Sequence, residues 1–324
     1  MSFQVPIALQ LIEEEIRGLP MPTTPETLYQ PIGYLMALGG KRIRPLLVLL
    51  GYYMFDDRWQ QAVKASLTVE IFHNFTLMHD DIMDKAPSRR GQPTVHIKWN
   101  ENTALLAGDV MLVKAYEQLA FVPEQHFREV WAAFNTCAAQ VCEGQQFDME
   151  FEQLSTVTEE AYLDMIRLKT SVLLGFSLQM GAIMAGANRQ QQKLIYDFGV
   201  NIGIGFQLKD DMLDVFGEQS KVGKQVGGDI LANKKTFLLL NALRLANATQ
   251  KQTLQHWLSR HDSPQEKVHA VTQIYEEIGI RQLTENKIKG YFDTAFGQLE
   301  HLEVTALKKQ LLQGFTTDLF NREK

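Results

Sequence analysis

The chain has 324 residues, of which 45% are hydrophobic and 22% are charged, and its formal net charge at pH 7 is −6. This composition is ordinary for a folded globular protein, and the negative balance argues against nucleic acid or an anionic membrane as a partner. An anionic ligand must therefore be bound by local clusters of basic residues.

The N-terminal stretch shows no basic start, no long apolar run and no small-residue cleavage site, so we expect no secretory signal. The least polar run, residues 172–187, is short for a membrane span and contains Gln179. It is expected to form a buried helix. The cysteines, Cys137 and Cys142, are expected to be buried and reduced. Together these features predict a cytoplasmic protein.

Apolar residues recur at a spacing near 3.6 along almost the whole chain, and convincing strand alternation is absent. This pattern predicts amphipathic helices, about ten or more of them. Thr158 is expected to cap the start of one helix. Because no linker rich in Pro, Gly or Ser divides the chain, we predict an all-α fold and a single domain over residues 1–324.

The first aspartate cluster ends one of these predicted helices. The sequence "LMHDDIMD" places Asp80, Asp81 and Asp84 at the end of an otherwise apolar stretch. On a helix, residues four apart lie above one another and the next residue is rotated by about 100°. Like charges at this spacing repel each other. A hard divalent cation removes that penalty, and Mg²⁺ completes its shell with water and phosphates.

The second aspartate cluster repeats the same spacing, as Asp210, Asp211 and Asp214. A solvated acidic face would explain one such pattern, but the flanks of both copies are apolar. The alternating loop pattern of an EF-hand is absent. We therefore predict two opposed metal-binding walls around one cavity.

Basic and polar residues accompany both clusters. A phosphate bound to metal ions needs cations, which arginine and lysine supply. His73 lies two helical turns before the first cluster and Gln207 one turn before the second. Lys169 and Thr170 lie within an apolar helix, where a buried lysine needs a partner. The other candidates lie beside the glycine pair Gly39–Gly40 or follow one of the aspartate clusters: Lys41, Arg42, Arg44, Arg89, Arg90, Lys224 and Lys234.

Seven ordered motifs resemble those of the trans-isoprenyl diphosphate synthases, also called polyprenyl synthetases. They span residues 39–236 and read "GGKRIRP", "HNFTLMHDDIMD", "RRGQPTVH", "GDVML", "LKT", "FQLKDDMLD" and "GKQVGGDILANKKT". One aspartate-rich motif would be a weak indication, whereas seven in order are specific. The resemblance implies an all-α fold with a central cavity, a homodimer, and prenyl transfer that depends on two or three Mg²⁺ ions.

The resemblance also assigns roles to individual residues. It implies Mg²⁺ coordination by Asp80, Asp84 and Asp210, with Asp214 as a further ligand and Asp81 and Asp211 in support. It assigns the allylic diphosphate to Arg89, Lys169, Lys224 and Lys234. It assigns isopentenyl diphosphate to Lys41, Arg44, His73 and Arg90. Thr170 and Gln207 would place oxygen dipoles near the allylic cation.

In the reaction implied by this resemblance, the allylic diphosphate ionises and the double bond of isopentenyl diphosphate attacks the carbocation. Loss of a proton then gives a trans product that is five carbons longer. Fixed charges stabilise the leaving diphosphate, and the glycine-containing loop 217–236 would exclude water. The chain departs from the family at Gln225 and at Phe237 and Leu238. These departures affect the shape of the loop and none of the proposed charges.

The length of the product depends on the apolar turns before Asp80. The resemblance assigns the floor of the tail site to Phe75, and Phe72 lies near it. Thr76, four positions before Asp80, leaves more depth than a second aromatic residue would. We therefore predict a twenty-carbon product, geranylgeranyl diphosphate, with farnesyl diphosphate as the alternative.

Two other classes of protein fit these motifs less well. A terpene cyclase typically has an Asn/Ser/Glu metal motif in place of a second aspartate cluster, and it needs no site for a second diphosphate. A non-catalytic synthase subunit should have lost carboxylates or cations, and none is missing. Glu143 and Asp148 are further candidates to contact Lys169 or Arg89. The sequence does not identify the allylic primer, and residues beyond Thr236 are interpreted as scaffold.

Overall fold

The computed structural model describes residues 3–217, 227–260 and 262–321, and the all-α fold predicted from the sequence is confirmed. The helices of the described residues are α1 (Val5–Arg17), α2 (Glu26–Ala37), α3 (Ile43–Phe55), α4 (Val63–Met83), α5 (Val95–Lys98), α6 (Glu101–Gln118), α7 (Glu124–Gln153), α8 (Glu159–Ile166), α9 (Val172–Met184), α10 (Arg189–Phe216), α11 (Gly228–Leu231), α12 (Phe237–Leu245), α13 (Ala248–Leu258), α14 (Pro264–Glu277), α15 (Ile280–Glu300) and α16 (Ala306–Asn321).

Shorter elements connect these helices. The strands β1 (Ser88–Arg89) and β2 (Gln92–Pro93) form a small antiparallel hairpin between α4 and α5. Within the part of the chain that the structure describes, 3₁₀ turns occur at Trp59–Ala62 and Leu119–Phe121, and a π turn at Arg167–Ser171 joins α8 to α9. The hairpin lies within the loop 85–94, which the sequence marked only as a break in the helical pattern.

The chain divides into two compact units. Unit 1 consists of Met1–Cys137 and Phe176–Tyr196, and unit 2 consists of Ala138–Gly175 and Asp197–Lys324. The boundaries fall within α7, α9 and α10. The single domain over residues 1–324 stays a prediction.

The core of unit 1 is built around α3, α4 and α6. Helix α3 is apolar on all sides and almost wholly buried, as expected for a helix inside a core. Two glycines let the α3 backbone contact the part of α9 that belongs to unit 1. A Cβ on Gly51 would lie 2.1 Å from the Leu178 carbonyl oxygen, and one on Gly181 would lie 2.0 Å from the Val48 carbonyl oxygen. Any larger residue at either glycine would push the two helices apart.

The core of unit 2 gathers the C-terminal helices around α12. Leu238 and Ala242 of α12 are completely buried, and Val271, Ile274 and Tyr275 of α14 pack in the same cluster. Residues beyond Thr236 therefore form a packed core, in agreement with their interpretation as scaffold.

Several local predictions can be compared with the structure. Thr158 caps α8 as predicted, because its hydroxyl oxygen accepts a hydrogen bond from the Ala161 amide at 3.1 Å.

Cys137 is buried, but Cys142 is exposed, so the prediction that both are buried is wrong for Cys142. Residues five apart on a helix are rotated by about 140°, so both could not face one core. Among the described residues, no helix combines the length and the apolar character needed to cross a membrane.

Candidate active site

The first aspartate cluster lies at the end of α4, in unit 1. Asp81 is buried, and both of its carboxylate oxygens accept hydrogen bonds from Arg89 Nε at 2.9 Å. Arg89 Nη2 lies 2.8 Å from Asp81 Oδ1 and 3.7 Å from Asp80 Oδ2. Burial raises the pKa of Asp81, and the hydrogen bonds from Arg89 oppose that rise. Asp81 therefore orients an arginine, while Asp80 and Asp84 are its neighbours on the same helix end.

The β1–β2 hairpin holds Arg89 in this position. The amide of Ala86 donates to the Asp81 carbonyl at 2.9 Å, and the Thr94 hydroxyl donates to the Ala86 carbonyl at 2.7 Å. These bonds tie both ends of the hairpin to the end of α4. The charged loop that breaks the helical pattern in the sequence is thus fixed to the aspartate cluster.

The basic loop before α3 is anchored by Arg42, which is 4% exposed. Its guanidinium donates to Glu13 Oε1 at 2.7 Å, to Glu70 Oε1 at 2.6 Å and to the Met36 carbonyl at 2.9 Å. These charge-assisted bonds hold Arg42 at a φ of 48°, a left-handed conformation that is costly for arginine. Of the three cations in "GGKRIRP", Arg42 is therefore structural.

Arg90 closes the same loop from the hairpin side. It donates a hydrogen bond to the Gly39 carbonyl. Gly40 has a φ of 149°, and a Cβ there would lie 3.1 Å from Arg90 Nη2. Both glycines are thus required by backbone conformation and by the approach of Arg90. Burial lowers the pKa of Arg90.

Arg44 and His73 lie in this arginine-rich part of unit 1. Burial lowers the pKa of Arg44 to about 10, and its Nε is buried without a hydrogen-bond partner among the described residues. A buried donor without a partner is costly, and an anionic ligand would satisfy it. Burial and the charges of Arg44 and Arg90 hold the pKa of His73 well below its usual range. His73 is therefore a neutral imidazole, which binds an anion through an N–H group and not through charge.

The apolar turns before the first cluster contribute to a cluster of aromatic rings in tilted and edge-on contact. The ring of Phe75 lies 5.6 Å from that of Phe72, which lies 5.3 Å from that of Phe134. Phe72 and Phe134 are completely buried. The Thr76 hydroxyl donates to the His73 carbonyl of its own helix, at 2.8 Å. The three residues predicted to set product length thus lie on one helix, with Phe134 of α7 behind them.

The second aspartate cluster lies in the last turns of α10, in unit 2. Asp211 is buried and accepts hydrogen bonds from the Tyr162 hydroxyl and, at 3.1 Å, from Gln207 Nε2. Burial, with a smaller contribution from the charge of Asp229, raises the pKa of Asp211 to about 7, although the hydrogen bonds from Tyr162 and Gln207 oppose the rise. Asp214 Oδ2 accepts from the Asp229 amide at 2.9 Å. Asp211 and Asp214 are thereby fixed by neighbouring elements.

Lys169 and Thr170 lie on the π turn between α8 and α9, also in unit 2. Lys169 Nζ lies 2.6 Å from Asp148 Oδ2 of α7, which agrees with Asp148 as a candidate partner. The Thr170 hydroxyl donates to Gln207 Oε1 at 3.3 Å. This last bond links the π turn to the second aspartate cluster through Gln207. Single π turns inside helices often occur at functional sites.

Two glycines make room for the π turn. A Cβ on Gly144 of α7 would lie 2.2 Å from the Lys169 amide nitrogen, and one on Gly203 of α10 would lie 2.6 Å from Ser171 Cβ. The wider turn therefore fits only because the helices on either side present no side chain. This support is encoded at Gly144 and Gly203, which the sequence did not single out.

The loop after α10 carries the remaining lysines. Lys234 is exposed, and its charge lowers the pKa of Asp211, which places it on the side of the second cluster. Lys224 and Gln225 lie outside the described residues, as does the rest of 218–226 in the predicted lid 217–236. The described part of this loop, 227–236, begins against Asp214, because the Gly227 amide donates to the Asp214 carbonyl at 2.6 Å.

The donor set at both clusters suits Mg²⁺, which prefers one or two carboxylates together with water and phosphate oxygens. Asp80 and Asp84 are one helical turn apart, and so are Asp210 and Asp214. Within residues 3–217, 227–260 and 262–321, no three His, Cys, Asp or Glu side chains are grouped closely enough to bind a metal ion on their own.

Sequence reasoning missed the residues that orient the site. Tyr162 holds Asp211 and lies in no pattern that indicates a function, because a tyrosine on an amphipathic helix is ordinary in sequence. Arg42 and Asp229 lie within the motifs, but the sequence does not indicate that they hold the basic loop and Asp214. Gly144 and Gly203, each inside a strongly helical stretch, were the usable signals of a close approach.

Comparisons with known proteins agree with this geometry. Residues 25–278 match the family model for polyprenyl synthetase. A short chain isoprenyl diphosphate synthase from Methanocaldococcus jannaschii is 39% identical over 267 residues, which are 82% of this chain and 81% of that protein. A geranylgeranyl diphosphate synthase from Methanosarcina mazei is 35% identical over 293 residues, with 90% and 89% covered.

Solved structures give the same result at the level of the fold. The crystal structure of a geranylgeranyl pyrophosphate synthase is 41% identical in sequence, has a TM-score of 0.95, and covers 100% of both chains. The family resemblance inferred from the seven motifs is therefore confirmed. The chain belongs to the polyprenyl synthetase family, and it is a prenyltransferase.

Proposed function

We propose that this enzyme is a short-chain trans-prenyltransferase that condenses isopentenyl diphosphate with an allylic diphosphate and that its favoured product is geranylgeranyl diphosphate. The names of its relatives support the class and the product. Farnesyl diphosphate remains the alternative product. The observation that carries the proposal is the arginine-rich site of unit 1, where Arg44 has a buried donor in need of an acceptor.

This arginine-rich site is assigned to isopentenyl diphosphate. Arg44 and Arg90 would supply the charge, neutral His73 an N–H donor, and Lys41 a further cation. A terpene cyclase, which binds one diphosphate, would leave these residues without a ligand. The buried arginines therefore favour a condensing enzyme over a cyclase.

The allylic diphosphate is assigned to Arg89, Lys169 and Lys234, with Lys224 as a further lysine outside the described residues. Asp81 orients Arg89 and Asp148 orients Lys169. Both basic groups are therefore held in place before the ligand arrives, which avoids reorganisation during the reaction.

Mg²⁺ is assigned to Asp80, Asp84, Asp210 and Asp214, with two or three ions expected. When bound, it would neutralise the diphosphate that leaves the allylic substrate. The residues of the chain have their own tasks. Asp211, held by Tyr162, would orient the end of α10, and the oxygens of Thr170 and Gln207 would face developing positive charge.

Product length is assigned to the aromatic cluster that includes Phe72 and Phe75 of α4. Phe75 would form the floor beneath the growing tail, and Phe72 and Phe134 would support it. Thr76 would leave more depth than an aromatic side chain. This arrangement supports a twenty-carbon product and argues against much longer ones.

We also propose that the enzyme is a cytoplasmic homodimer. Free Cys137 and Cys142 support a reducing compartment. Unit 1 exposes large apolar side chains on α6 and α7, among them Leu106 at 59%, Val113 at 58% and Trp131 at 47%. Such a surface is typical of an interface, and a second copy of the chain is the proposed partner.

The proposed dimer can be tested by sedimentation. The wild-type chain should sediment with twice its mass of 36.9 kDa. Val113→Glu should shift the population toward the monomer, because it would bury a charge in the interface. Leu245→Glu, at an exposed leucine of α12, is the control and should leave the mass unchanged. A wild-type monomer would refute the dimer.

The function itself is tested by incubating the enzyme with Mg²⁺, labelled isopentenyl diphosphate and dimethylallyl, geranyl or farnesyl diphosphate. Elongation to a twenty-carbon chain is expected, and a fifteen-carbon end product would favour the alternative. Cyclic hydrocarbons from the allylic diphosphate alone would indicate a cyclase. Absence of any product would indicate a non-catalytic subunit and contradict the proposal.

A further inference from the structure

Lys267, in α14, is an unusual lysine because only 2% of it is exposed. It lies in the C-terminal third, where no motif of the family was found. Lysine is rarely buried without a partner, since the loss of hydration of the ammonium must be offset by hydrogen bonds. Burial also lowers the pKa of Lys267. The position of its ammonium therefore calls for an explanation.

The ammonium of Lys267 donates two hydrogen bonds, one of them to the residue that precedes Lys234. One goes to Asn233 Oδ1 at 2.6 Å and the other to the Arg260 carbonyl at 3.3 Å. Asn233 directly precedes Lys234. Its own amide donates from Nδ2 to the Leu258 carbonyl at 2.9 Å. The Asn233 side chain is thus fixed on both its oxygen and its nitrogen.

Asn233 is the residue at which the backbone must turn to present Lys234. Its φ is 54°, in the left-handed region that asparagine tolerates better than most residues. One residue later, the Lys234 amide donates to the Asp229 carbonyl at 2.9 Å, and the Asp229 amide donates to Asp214 Oδ2 at 2.9 Å. These hydrogen bonds, together with the backbone between Asn233 and Lys234 and at Asp229, therefore connect Lys267 with Asp214 of the second aspartate cluster.

Apolar packing fixes the first part of this segment. Gly227 lies against α14, where a Cβ would come within 2.6 Å of Val268, and Ile230 is buried in one cluster with Val271 and Tyr275. Further along, a small cavity borders the segment and is lined by Asn233, Lys234 and Tyr275, among others. The hydrogen bonds of Asn233 and of the Lys234 amide therefore hold the part of the segment that carries Lys234.

We propose that Lys267 is a positioning residue for prenyl transfer: its hydrogen bond to Asn233 fixes the backbone that presents Lys234 to the allylic diphosphate. This inference rests on the proposed function and on the assignment of Lys234 to that diphosphate. It gives the C-terminal third, through α14, a part in substrate binding. A small misplacement of a binding group costs a large factor in rate, so the effect should be measurable in kinetics.

The first experiment compares Lys267→Met with the wild type in steady-state kinetics. Methionine keeps most of the side-chain length and removes the ammonium. The KM for the allylic diphosphate should rise about tenfold, while the KM for isopentenyl diphosphate should stay within about twofold. Lys309→Met is the matched control, because Lys309 also donates to a backbone carbonyl of unit 2, that of Glu300 at 2.5 Å. It should change neither KM.

Asn233→Gly provides the second variant, and it also serves if Lys267→Met does not fold. Glycine keeps the positive φ and removes the hydrogen-bonding side chain. It should raise the same KM as Lys267→Met. The allylic KM of the double variant should be no higher than that of the more impaired single variant. Additive effects, an unchanged allylic KM, or an equal rise of both KM values would overturn the proposal.

A binding measurement separates this inference from the proposed function. Inorganic diphosphate is titrated calorimetrically into wild type and Lys267→Met in the presence of Mg²⁺, so that no turnover is needed. An affinity about tenfold weaker in the variant supports the positioning role, and an equal affinity overturns it. A wild-type enzyme that binds diphosphate but elongates no primer would refute the proposed function alone.

Discussion

Asp81 shows at the scale of one residue how this site divides its tasks. In the sequence it is one of three equivalent carboxylates. In the structure Arg89 Nε binds both oxygens of Asp81 at 2.9 Å. Asp80 Oδ2 is farther from the same guanidinium, at 3.7 Å. Because both oxygens of Asp81 are directed at the guanidinium, they are not directed at a metal ion. If Arg89 binds the allylic diphosphate as proposed, Asp81 acts on the substrate through Arg89.

Replacing Asp81 with alanine should therefore abolish most turnover while the fold is kept. The kcat/KM for the allylic diphosphate should fall about a hundredfold or more, because Arg89 loses its orientation and its charge partner. Circular dichroism should remain that of a folded helical protein. Asp293→Ala, on an exposed face of α15, is the control. Near-normal turnover of Asp81→Ala would contradict this account of the first cluster.

Phe75 carries the second residue-scale prediction. Phe75→Ala removes the ring that lies 5.6 Å from Phe72 and 4.8 Å from the His79 ring. The space should accept additional isoprene units, so chromatography should show products longer than those of the wild type. Phe296→Ala, a half-buried aromatic residue of α15 in unit 2, should leave the product distribution unchanged. An unchanged distribution for Phe75→Ala would remove Phe75 from the floor.

At the scale of an element, the π turn at Arg167–Ser171 depends on glycines in its neighbours. Gly144→Ala would place a Cβ 2.2 Å from the Lys169 amide nitrogen, which is backbone and cannot move aside. The π turn must then shift, and the allylic kcat/KM should fall about tenfold or more. Gly290→Ala is the matched control, since it is also helical and has open space around its position. It should leave activity unchanged and stabilise the fold by about 0.5–1 kcal/mol.

The elements also show what the sequence could and could not predict. The helix that ends at the first cluster and the Thr158 cap follow from periodicity and capping, which are local properties. The π turn does not, because an inserted residue leaves the apolar pattern on both sides intact. Lys267 could not be predicted either. A lysine on an amphipathic helix normally indicates a solvated face, and only its burial against Asn233 reveals its partner.

For the molecule as a whole, the prediction concerns thermal stability with ligands. The assigned Mg²⁺ ligands include like charges one helical turn apart, so metal and diphosphate together should stabilise the folded state. A ligand at one hundred times its Kd adds about 2.7 kcal/mol. The melting temperature should rise with Mg²⁺ and inorganic diphosphate together, and less with either one alone. Addition of a chelator should reverse the rise, and a Tm that is indifferent to both would contradict the metal assignment.

The glycine contacts between α3 and α9 in unit 1 have a mechanical consequence. Backbone touches backbone at Gly51 and Gly181, so no side chain can rearrange to let α3 slide. Arg42, at the start of α3, donates to Glu70 of α4 and so ties this closely packed pair of helices to the helix that ends at the first aspartate cluster. Arg44 lies in the first turn of α3 and is carried by the same closely packed body. Under the proposed assignment to isopentenyl diphosphate, the Arg44 guanidinium would therefore be fixed in place before the diphosphate arrives.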